Sequence, residues 1–135
     1  MNFITGLSQS ADALAAERTR LETVSANIAN ANSTRGPDGT PYHRKVVAFE
    51  SVMDAHHPNG ASVHVSQVAT DKTPGQRVYQ PGHPDADKDG FVEMPNVNLS
   101  YEMVDLISAS RAYEANLAVV QNARQLATRA LSIGK

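Results

Sequence analysis

Apolar side chains recur at steps of three and four residues through the first 30 residues, the spacing of one face of an α-helix. The members of this stripe are Ile4, Leu7, Ala11, Leu14, Arg18, Leu21, Ser25 and Ile28. No proline or interior glycine interrupts residues 7–31, so the pattern predicts a single helix about 40 Å long. Alternating steps of three and four form a heptad seam, which is typical of helices that pack as a coiled coil.

A second stripe with the same spacing occupies the last third of the chain. Its members are Met103, Leu106, Ser110, Tyr113, Leu117, Val120, Arg124, Ala127 and Leu131. Asn98 or Ser100 is suited to cap the start of this helix, and Gly134 is suited to cap its end. The pattern therefore predicts a second long helix.

The middle of the chain has a different character. Residues 33–41 are dense in turn formers, and all seven prolines lie between positions 37 and 95. Runs rich in valine predict strands at Arg44–Val52 and Ser62–Val68, with a weaker one at Val78–Tyr79. The two helices are therefore joined by a small, loop-rich β insertion.

We predict an α+β chain of three parts: an N-terminal axial helix (1–32), a loop- and β-rich insertion (33–98) and a C-terminal axial helix (99–135). The two long helices should pack as a coiled coil. Each apolar stripe is narrow, so one helix pair can bury only a small apolar surface. We therefore expect the protein to be completed by assembly, with the ends of an isolated chain partly unfolded.

Four polar residues interrupt the two stripes. Arg18 and Ser25 stand in the first stripe, and Ser110 and Arg124 stand in the second. Polar residues at seam positions can fix the register between helices at a cost in stability. We hypothesise that these four residues do so.

Composition narrows the possible functions. The chain of 135 residues has a formal charge of −2, with no cluster of lysine and arginine, which argues against a nucleic-acid partner. It contains no cysteine, so disulfides and thiol chemistry are excluded. No apolar run is long enough for a direct membrane span, and residues 1–30 lack the pattern of a cleavable signal peptide.

The stretch DADKDG matches the opening of an EF-hand calcium loop at Asp85, Asp87, Asp89 and Gly90. Asn96, however, stands where such a loop needs a bidentate glutamate, and no amphipathic helix flanks the stretch. A turn fits better, with aspartates accepting hydrogen bonds from nearby backbone amides and Gly90 at positive φ. A small calcium-binding module using the Asp85–Asp89 loop is the alternative function.

Other site chemistry finds no support in the sequence. The five histidines lack the spacing of a metal site; they are His43, His56, His57, His64 and His83. Phosphate-binding and nucleophile motifs are missing as well. We therefore expect no catalytic residue, no cofactor and no metal.

The segment "SANIANAN" closes the first helix with three asparagines, including Asn27 and Asn30. Asparagine is a mediocre helix former, so the segment fits ordinary helix termination. The small alanines between the asparagines would equally allow a neighbouring helix to approach. Composition leaves these two readings even.

A family resemblance covers nearly the whole chain. "LETVSANIANANSTRGPDGTPYHRKVVAFE" resembles the N-terminal signature of the bacterial flagellar axial family of rod and hook proteins, and "VNLSYEMVDLISASRAYEANLAVVQNARQL" resembles its C-terminal one. "YQPGHPDADKDGFVEMPNVN" is similar to the proximal-rod branch of that family. The residues that carry these signatures are Ser25, Asn27, Asn30, Pro84, Asp85, Asp87, Gly90, Pro95, Asn96, Arg111, Tyr113 and Asn116.

The resemblance implies a structural, non-enzymatic subunit of the flagellar basal-body proximal rod. It implies export by the flagellar type III apparatus and assembly in the periplasm into a hollow, torque-transmitting drive shaft. The implied partners are further copies of the chain, the other rod proteins and the base-adaptor protein at the membrane ring. The apolar stripes would form the packing seams between subunits. A secreted coiled-coil adaptor unrelated to motility is a weaker option.

Overall fold

A computed structural model of the chain describes residues 3–53 and 60–133. Within these residues, two long helices precede and follow four strands along the chain. They are α1 (Phe3–Ala29), β1 (Lys45–Met53), β2 (Ala61–Thr70), β3 (Arg77–Tyr79), β4 (Phe91–Glu93) and α2 (Leu99–Ile133). The α+β prediction is confirmed. The sequence did not indicate β4, because three residues within a stretch rich in aspartate and proline give too short a pattern to recognise.

The two helices pack against each other and run antiparallel. Arg20 of α1 pairs with Asp105 of α2, while Asn27, seven residues further along α1, bonds Glu102, three residues earlier in α2. Moving in one direction along the contact, the residue numbers increase in α1 and decrease in α2. The contact is close because small side chains, notably Ala109 of α2, lie at its centre.

The buried seam inside the chain uses small and polar residues. From residue 6 onward, the fully buried positions of α1 are Ala16, Val24 and Asn27. The leucines of the first predicted stripe, at positions 7, 14 and 21, are only half-buried, as is Ile28. On α2 the half-buried members of the second stripe are Leu106, Ser110, Tyr113, Leu117 and Val120, while Met103, Arg124, Ala127 and Leu131 are exposed. The side chain of Ile4 and the residue Gly134 lie outside the described part.

Arg18 does not set the register between the two helices of one chain. Its side chain is 74% exposed and pairs with Glu22 one turn along the same helix at 3.0 Å. Ser25 is exposed as well. Arg20, two positions after Arg18, faces α2 instead. The periodicity could not distinguish these faces, because both present mostly small or apolar residues at helical spacing.

The strands form two separate antiparallel pairs. β1 and β2 make a long ribbon in which Lys45 lies opposite Thr70 and Met53 opposite Ala61, with a register shift at Ala48. This ribbon lies along α1, since the His64 imidazole of β2 is 3.9 Å from the Asp12 carboxylate. The ribbon therefore covers one side of the N-terminal helix.

The shorter pair, β3 and β4, closes the acidic loop. Val92 of β4 is buried, and the Tyr79 and Phe91 rings meet edge to face at 5.2 Å between centroids. The backbone passes close by at Gly75, where a Cβ would lie 1.7 Å from the Met94 carbonyl oxygen. No other residue type fits that position without moving the backbone.

Candidate functional site

A group of polar side chains lies where α1, β1 and the start of α2 meet. We call Asn27, Tyr42, Arg44 and Glu102 the junction cluster. Asn27 and Glu102 are both 0% exposed, although buried polar groups are costly unless they are hydrogen-bonded. The cluster therefore depends on complete pairing.

Asn27 uses every hydrogen-bonding group of its side-chain amide. Its Nδ2 donates to the Lys45 carbonyl oxygen at 2.8 Å and to Glu102 Oε2 at 3.0 Å. Its Oδ1 accepts from the Lys45 amide at 2.9 Å and from the Tyr42 hydroxyl at 2.9 Å. An amide has two donors and two acceptor sites, so this side chain is fully satisfied. Asn27 therefore joins the end of α1 to β1 and to α2.

Glu102 occupies the other half of the cluster. Its Oε1 accepts from Arg44 Nε, and its Oε2 accepts from Asn27. The Arg44 side chain is 31% exposed, whereas that of Glu102 is 0% exposed. Removing one such partner from a buried carboxylate strongly destabilises the folded protein. Burial raises the pKa of the nearby Tyr42 hydroxyl, and the Glu102 carboxylate raises it further, so Tyr42 stays protonated and can donate.

A second charged pair lies one turn further along the helices. Arg20 Nη2 donates to Asp105 Oδ1, and Arg20 Nη1 lies 3.4 Å from Glu17 Oε2. The hydrogen bond to Asp105 raises the pKa of the Arg20 guanidinium. The pair is only partly exposed, at 25% for Arg20 and 30% for Asp105. It fixes the register of the two helices beside the junction cluster.

Two asparagines position the chain just before α2. Asn98 Oδ1 accepts from the Ser100 and Tyr101 amides at 3.1 and 3.2 Å, so of the two predicted caps, Asn98 and Ser100, Asn98 is the one that caps the helix. Asn96 Oδ1 accepts from the Arg44 amide at 2.7 Å, and its Nδ2 donates to two carbonyl oxygens, those of Asp71 and Thr73. Asn96 therefore holds the start of β1 beside the loop after β2.

The acidic stretch folds as a turn held by its own backbone. Asp87 Oδ1 accepts from the Asp89 and Phe91 amides at 2.9 and 2.8 Å, and Asp87 Oδ2 accepts from Arg77 at 2.6 Å. Gly90 has a φ of 81°, as expected for such a turn. The hydrogen bond from the Phe91 amide, aided by Arg77, holds the pKa of the Asp87 carboxyl below its usual range.

Asp85 points away from Asp87 and ties the turn to another loop. Its Oδ2 accepts from the Thr34 hydroxyl at 2.8 Å, and its Oδ1 lies 3.5 Å from Arg35. The Thr34 hydrogen bond and the Arg35 charge lower the pKa of the Asp85 carboxyl. The aspartates therefore act as structural acceptors, and the interpretation of DADKDG as a turn is confirmed.

Within residues 3–53 and 60–133, no three histidine, aspartate or glutamate side chains come together as metal ligands would. His56 and His57 lie outside the described part. Across the helices that the structure describes, none combines the length and apolarity that crossing a membrane requires.

Large apolar side chains project outward from the first turns of α2. Leu99, Met103 and Ile107 follow one another at four-residue steps and are 48%, 52% and 53% exposed. We call these three residues the outer stripe. They lie on a different side of the helix from Glu102 and Ala109, which face α1. A contiguous exposed apolar patch is typical of a surface that another protein covers.

The other signature residues take varied places. Asn30 Nδ2 donates to the Ala26 carbonyl oxygen at 2.8 Å and its Oδ1 accepts from Ser33 at 3.1 Å, so it terminates α1. Pro95 is buried, whereas Pro84 and Arg111 are exposed. Tyr113 and Asn116 are half-buried along α2.

Sequence reasoning missed the roles of Arg20, Arg44 and Glu102. Glu102 reads as an ordinary acidic residue in a first helical turn. One signal was present: Glu102, Ala109, Asn116 and Ala123 follow at seven-residue steps. The first two members of this line, Glu102 and Ala109, are fully buried against α1, and the other two are half-buried.

Two family models match the chain: "Flagella basal body rod protein" over residues 7–37 and "Flagellar basal body rod FlgEFG protein C-terminal" over residues 88–133. The first model therefore matches the part of the chain that contains α1, and the second matches the part that contains α2. The matched segments include Asn27 and Glu102 of the junction cluster.

Curated relatives match across the β insertion too. The chain is 40% identical to the flagellar basal-body rod protein FlgC of Yersinia enterocolitica, with all of both chains covered. It is 37% identical to FlgC of Bacillus subtilis, again over the full length of both. It is 42% identical to FlgC of Salmonella typhimurium, over 91% of each chain.

Proposed function

The chain belongs to the FlgC family of flagellar basal-body rod proteins, and from that premise we propose that it works as a structural, non-enzymatic subunit of the rod in bacterial motility. The observation that carries this proposal is the full-length similarity to relatives named for the rod. The site of action is the flagellar basal body, in the periplasmic region where the rod lies.

We further propose that the outer stripe is where a neighbouring rod subunit packs. The three apolar side chains are each about half exposed and stand at helical spacing. Covering them with a partner helix would remove apolar surface from water and so stabilise the assembly. The half-buried leucines of α1 would complete the seam from the other side. The neighbours proposed are further copies of this chain, the other rod proteins and the base-adaptor protein at the membrane ring.

Delivery to the rod is proposed to occur through the flagellar export apparatus. The junction cluster is compatible with this route, because its hydrogen bonds are noncovalent and can form again after the chain has been unfolded. Once assembled, subunits packed along their long helices would form a hollow shaft that transmits torque. Helices suit this task since their backbone hydrogen bonds lie within each segment.

Loss of the gene tests the proposal. A strain lacking it should not swim, and a plasmid copy of the unmodified gene should restore swimming. A plasmid that carries the gene with an early stop codon is the matched control. Normal swimming of the deletion strain would contradict the proposal and would favour the adaptor unrelated to motility.

No structural observation favours the calcium alternative, since Asp85 and Asp87 are engaged with protein partners. Titration calorimetry with calcium chloride tests it directly. We expect no micromolar binding. Micromolar binding that disappears in Asp85→Ala would restore the alternative.

A further inference from the structure

The junction cluster is assembled from three segments that lie far apart in the sequence. Asn27 comes from the end of α1, Arg44 and Tyr42 from the approach to β1, and Glu102 from the first turn of α2. We propose that the cluster is a latch: the end of α1 and the start of β1 become ordered together only when α2 docks Glu102 between them.

The coupling passes through the side-chain amide of Asn27. Glu102 bonds Asn27 Nδ2, and the other hydrogen of Nδ2 reaches the Lys45 carbonyl oxygen. Without Glu102, one Nδ2 hydrogen is buried and unpaired, a state that costs the full desolvation of that group. The amide then turns toward water, and Lys45 loses both of its bonds to Asn27.

The dependence also runs in the other direction. Glu102 is 0% exposed, and its two oxygens are paired with Arg44 and Asn27. An ionised carboxylate stays buried only with such partners. The first turn of α2 can therefore dock stably only if α1 and the start of β1 supply their donors at the same time. Reciprocal dependence makes the three segments close as one unit.

The latch lies next to the most buried part of the helix pair. Among the helix residues whose side chains the structure describes, 6–29 of α1 and 99–133 of α2, the fully buried ones lie between the middle of each helix and the latch. The fully buried helix residues are Ala16, Val24, Asn27, Glu102 and Ala109. Among the described residues 115–133 of α2, none is fully buried. The buried part of the helix pair is therefore the part nearest the latch, and we expect order in a free chain to persist longest there. In rod building, the latch would close only after both helices of a subunit have been delivered, and this use rests on the proposed function.

Hydrogen exchange of single amides, measured by NMR on the full chain, tests the latch. The Lys45 amide, which donates to Asn27 Oδ1 at 2.9 Å, is the reporter, because Lys45 is not bonded to Glu102. The Phe91 amide, which donates to Asp87 at 2.8 Å in the separate β3–β4 pair, reports on stability elsewhere. In Glu102→Gln, exchange at Lys45 should be faster by at least about tenfold, with Phe91 unchanged within about twofold.

Glutamine cannot replace Glu102, since it offers one acceptor oxygen where Asn27 and Arg44 bring two donors. It keeps the size of the side chain, so the variant should fold, and Glu102→Ala serves as the harsher form. Glu114→Gln is the matched control, because Glu114 is exposed on the same helix. It should change neither amide.

Three results would overturn the latch. The first is an unchanged rate at Lys45 in both Glu102 variants, and the second is an unprotected Lys45 amide in the unmodified chain. The third is an equal acceleration at Lys45 and Phe91, which would mean general destabilisation. Swimming of the deletion strain decides the rod proposal separately, so the failure of either idea can be recognised without the other.

Discussion

Asn27 and Glu102 stand 75 positions apart in the sequence and are joined by a hydrogen bond of 3.0 Å in the protein interior. Both side chains are 0% exposed. The bond connects the end of α1 to the first turn of α2, where the β insertion leaves one helix and enters the other. It therefore makes the helix pair and the insertion parts of one structure.

Asn27→Ala should lower the free energy of unfolding by about 3 kcal/mol, because it leaves the Glu102 oxygen, the Tyr42 hydroxyl and the Lys45 amide without their partner. Urea unfolding followed by circular dichroism measures the change. Asn32→Ala is the control, since Asn32 is exposed just after α1. A loss of less than about 1 kcal/mol would show that water replaces Asn27 easily.

Two helices flanking a β insertion could be predicted because helical spacing persists over many turns and prolines mark its limits. The side of each helix that meets the other could not. The intramolecular seam uses Ala16 and Ala109, while Met103 and Ile107 point outward. Hydrophobic periodicity favours the larger residues, and in this chain several of these are exposed, which is what the proposed packing of neighbouring subunits on α2 would require.

The polar contacts could not be predicted from the sequence for a different reason. A hydrogen bond between Asn27 and Glu102 depends on the relative placement of two distant segments, which local spacing does not specify. The resemblance marked Asn27 and Asn96 as signature residues without saying what they bond. The helix cap could be narrowed to Asn98 or Ser100 from sequence alone, because a cap depends only on its immediate neighbours.

Gly90→Ala should destabilise the turn before β4 by about 1–2 kcal/mol. Gly90 has a φ of 81°, and a Cβ there would lie 2.9 Å from Tyr79 Cε2. Gly82→Ala is a matched control in the same loop, where an added Cβ meets nothing within 4 Å. The midpoints of urea unfolding should differ between the two variants. Equal midpoints would show that the turn contributes little to the folded state.

Acid should weaken the same turn. The folded protein holds the pKa of the Asp87 carboxyl below its usual value, chiefly through the Phe91 amide and then through Arg77. A depressed pKa stabilises the fold above the ordinary aspartate value of about 3.9, and this contribution is lost as the pH falls through the folded value. The stability difference between the unmodified protein and Asp87→Asn should therefore shrink from pH 5 to pH 2.5.

Urea midpoints of the two proteins at several pH values measure that difference. Glu93→Gln is a suitable control, since Glu93 is exposed in the adjoining strand. A difference that stays constant down to pH 2.5 would mean that the Asp87 charge is not what holds the turn.

The free monomer should contain less helix than the 27 residues of α1 and 35 of α2. The deficit should lie at the ends remote from the junction cluster, such as residues 124–133, whose described side chains are all exposed. Circular dichroism of the dilute monomer gives the total, and NMR chemical shifts locate the loss. Two helices fully formed in the monomer would contradict this expectation.

The central claim is that this chain is built into the rod through outward-facing apolar residues of α2. It is tested most directly by the amount of the chain in basal bodies purified from a deletion strain that carries a plasmid copy. Ile107→Asp places a charge in the outer stripe, whereas Ser108→Asp places the same charge on the next exposed residue. Equal melting temperatures of the purified variants would establish that both fold.

We expect the unmodified chain and Ser108→Asp in the purified basal bodies, and Ile107→Asp to be depleted by at least about tenfold, as expected for a charge buried without a partner. Absence of the unmodified chain from basal bodies of swimming cells would contradict the rod assignment. Ile107→Asp at the same level as the unmodified chain would contradict the role of the outer stripe.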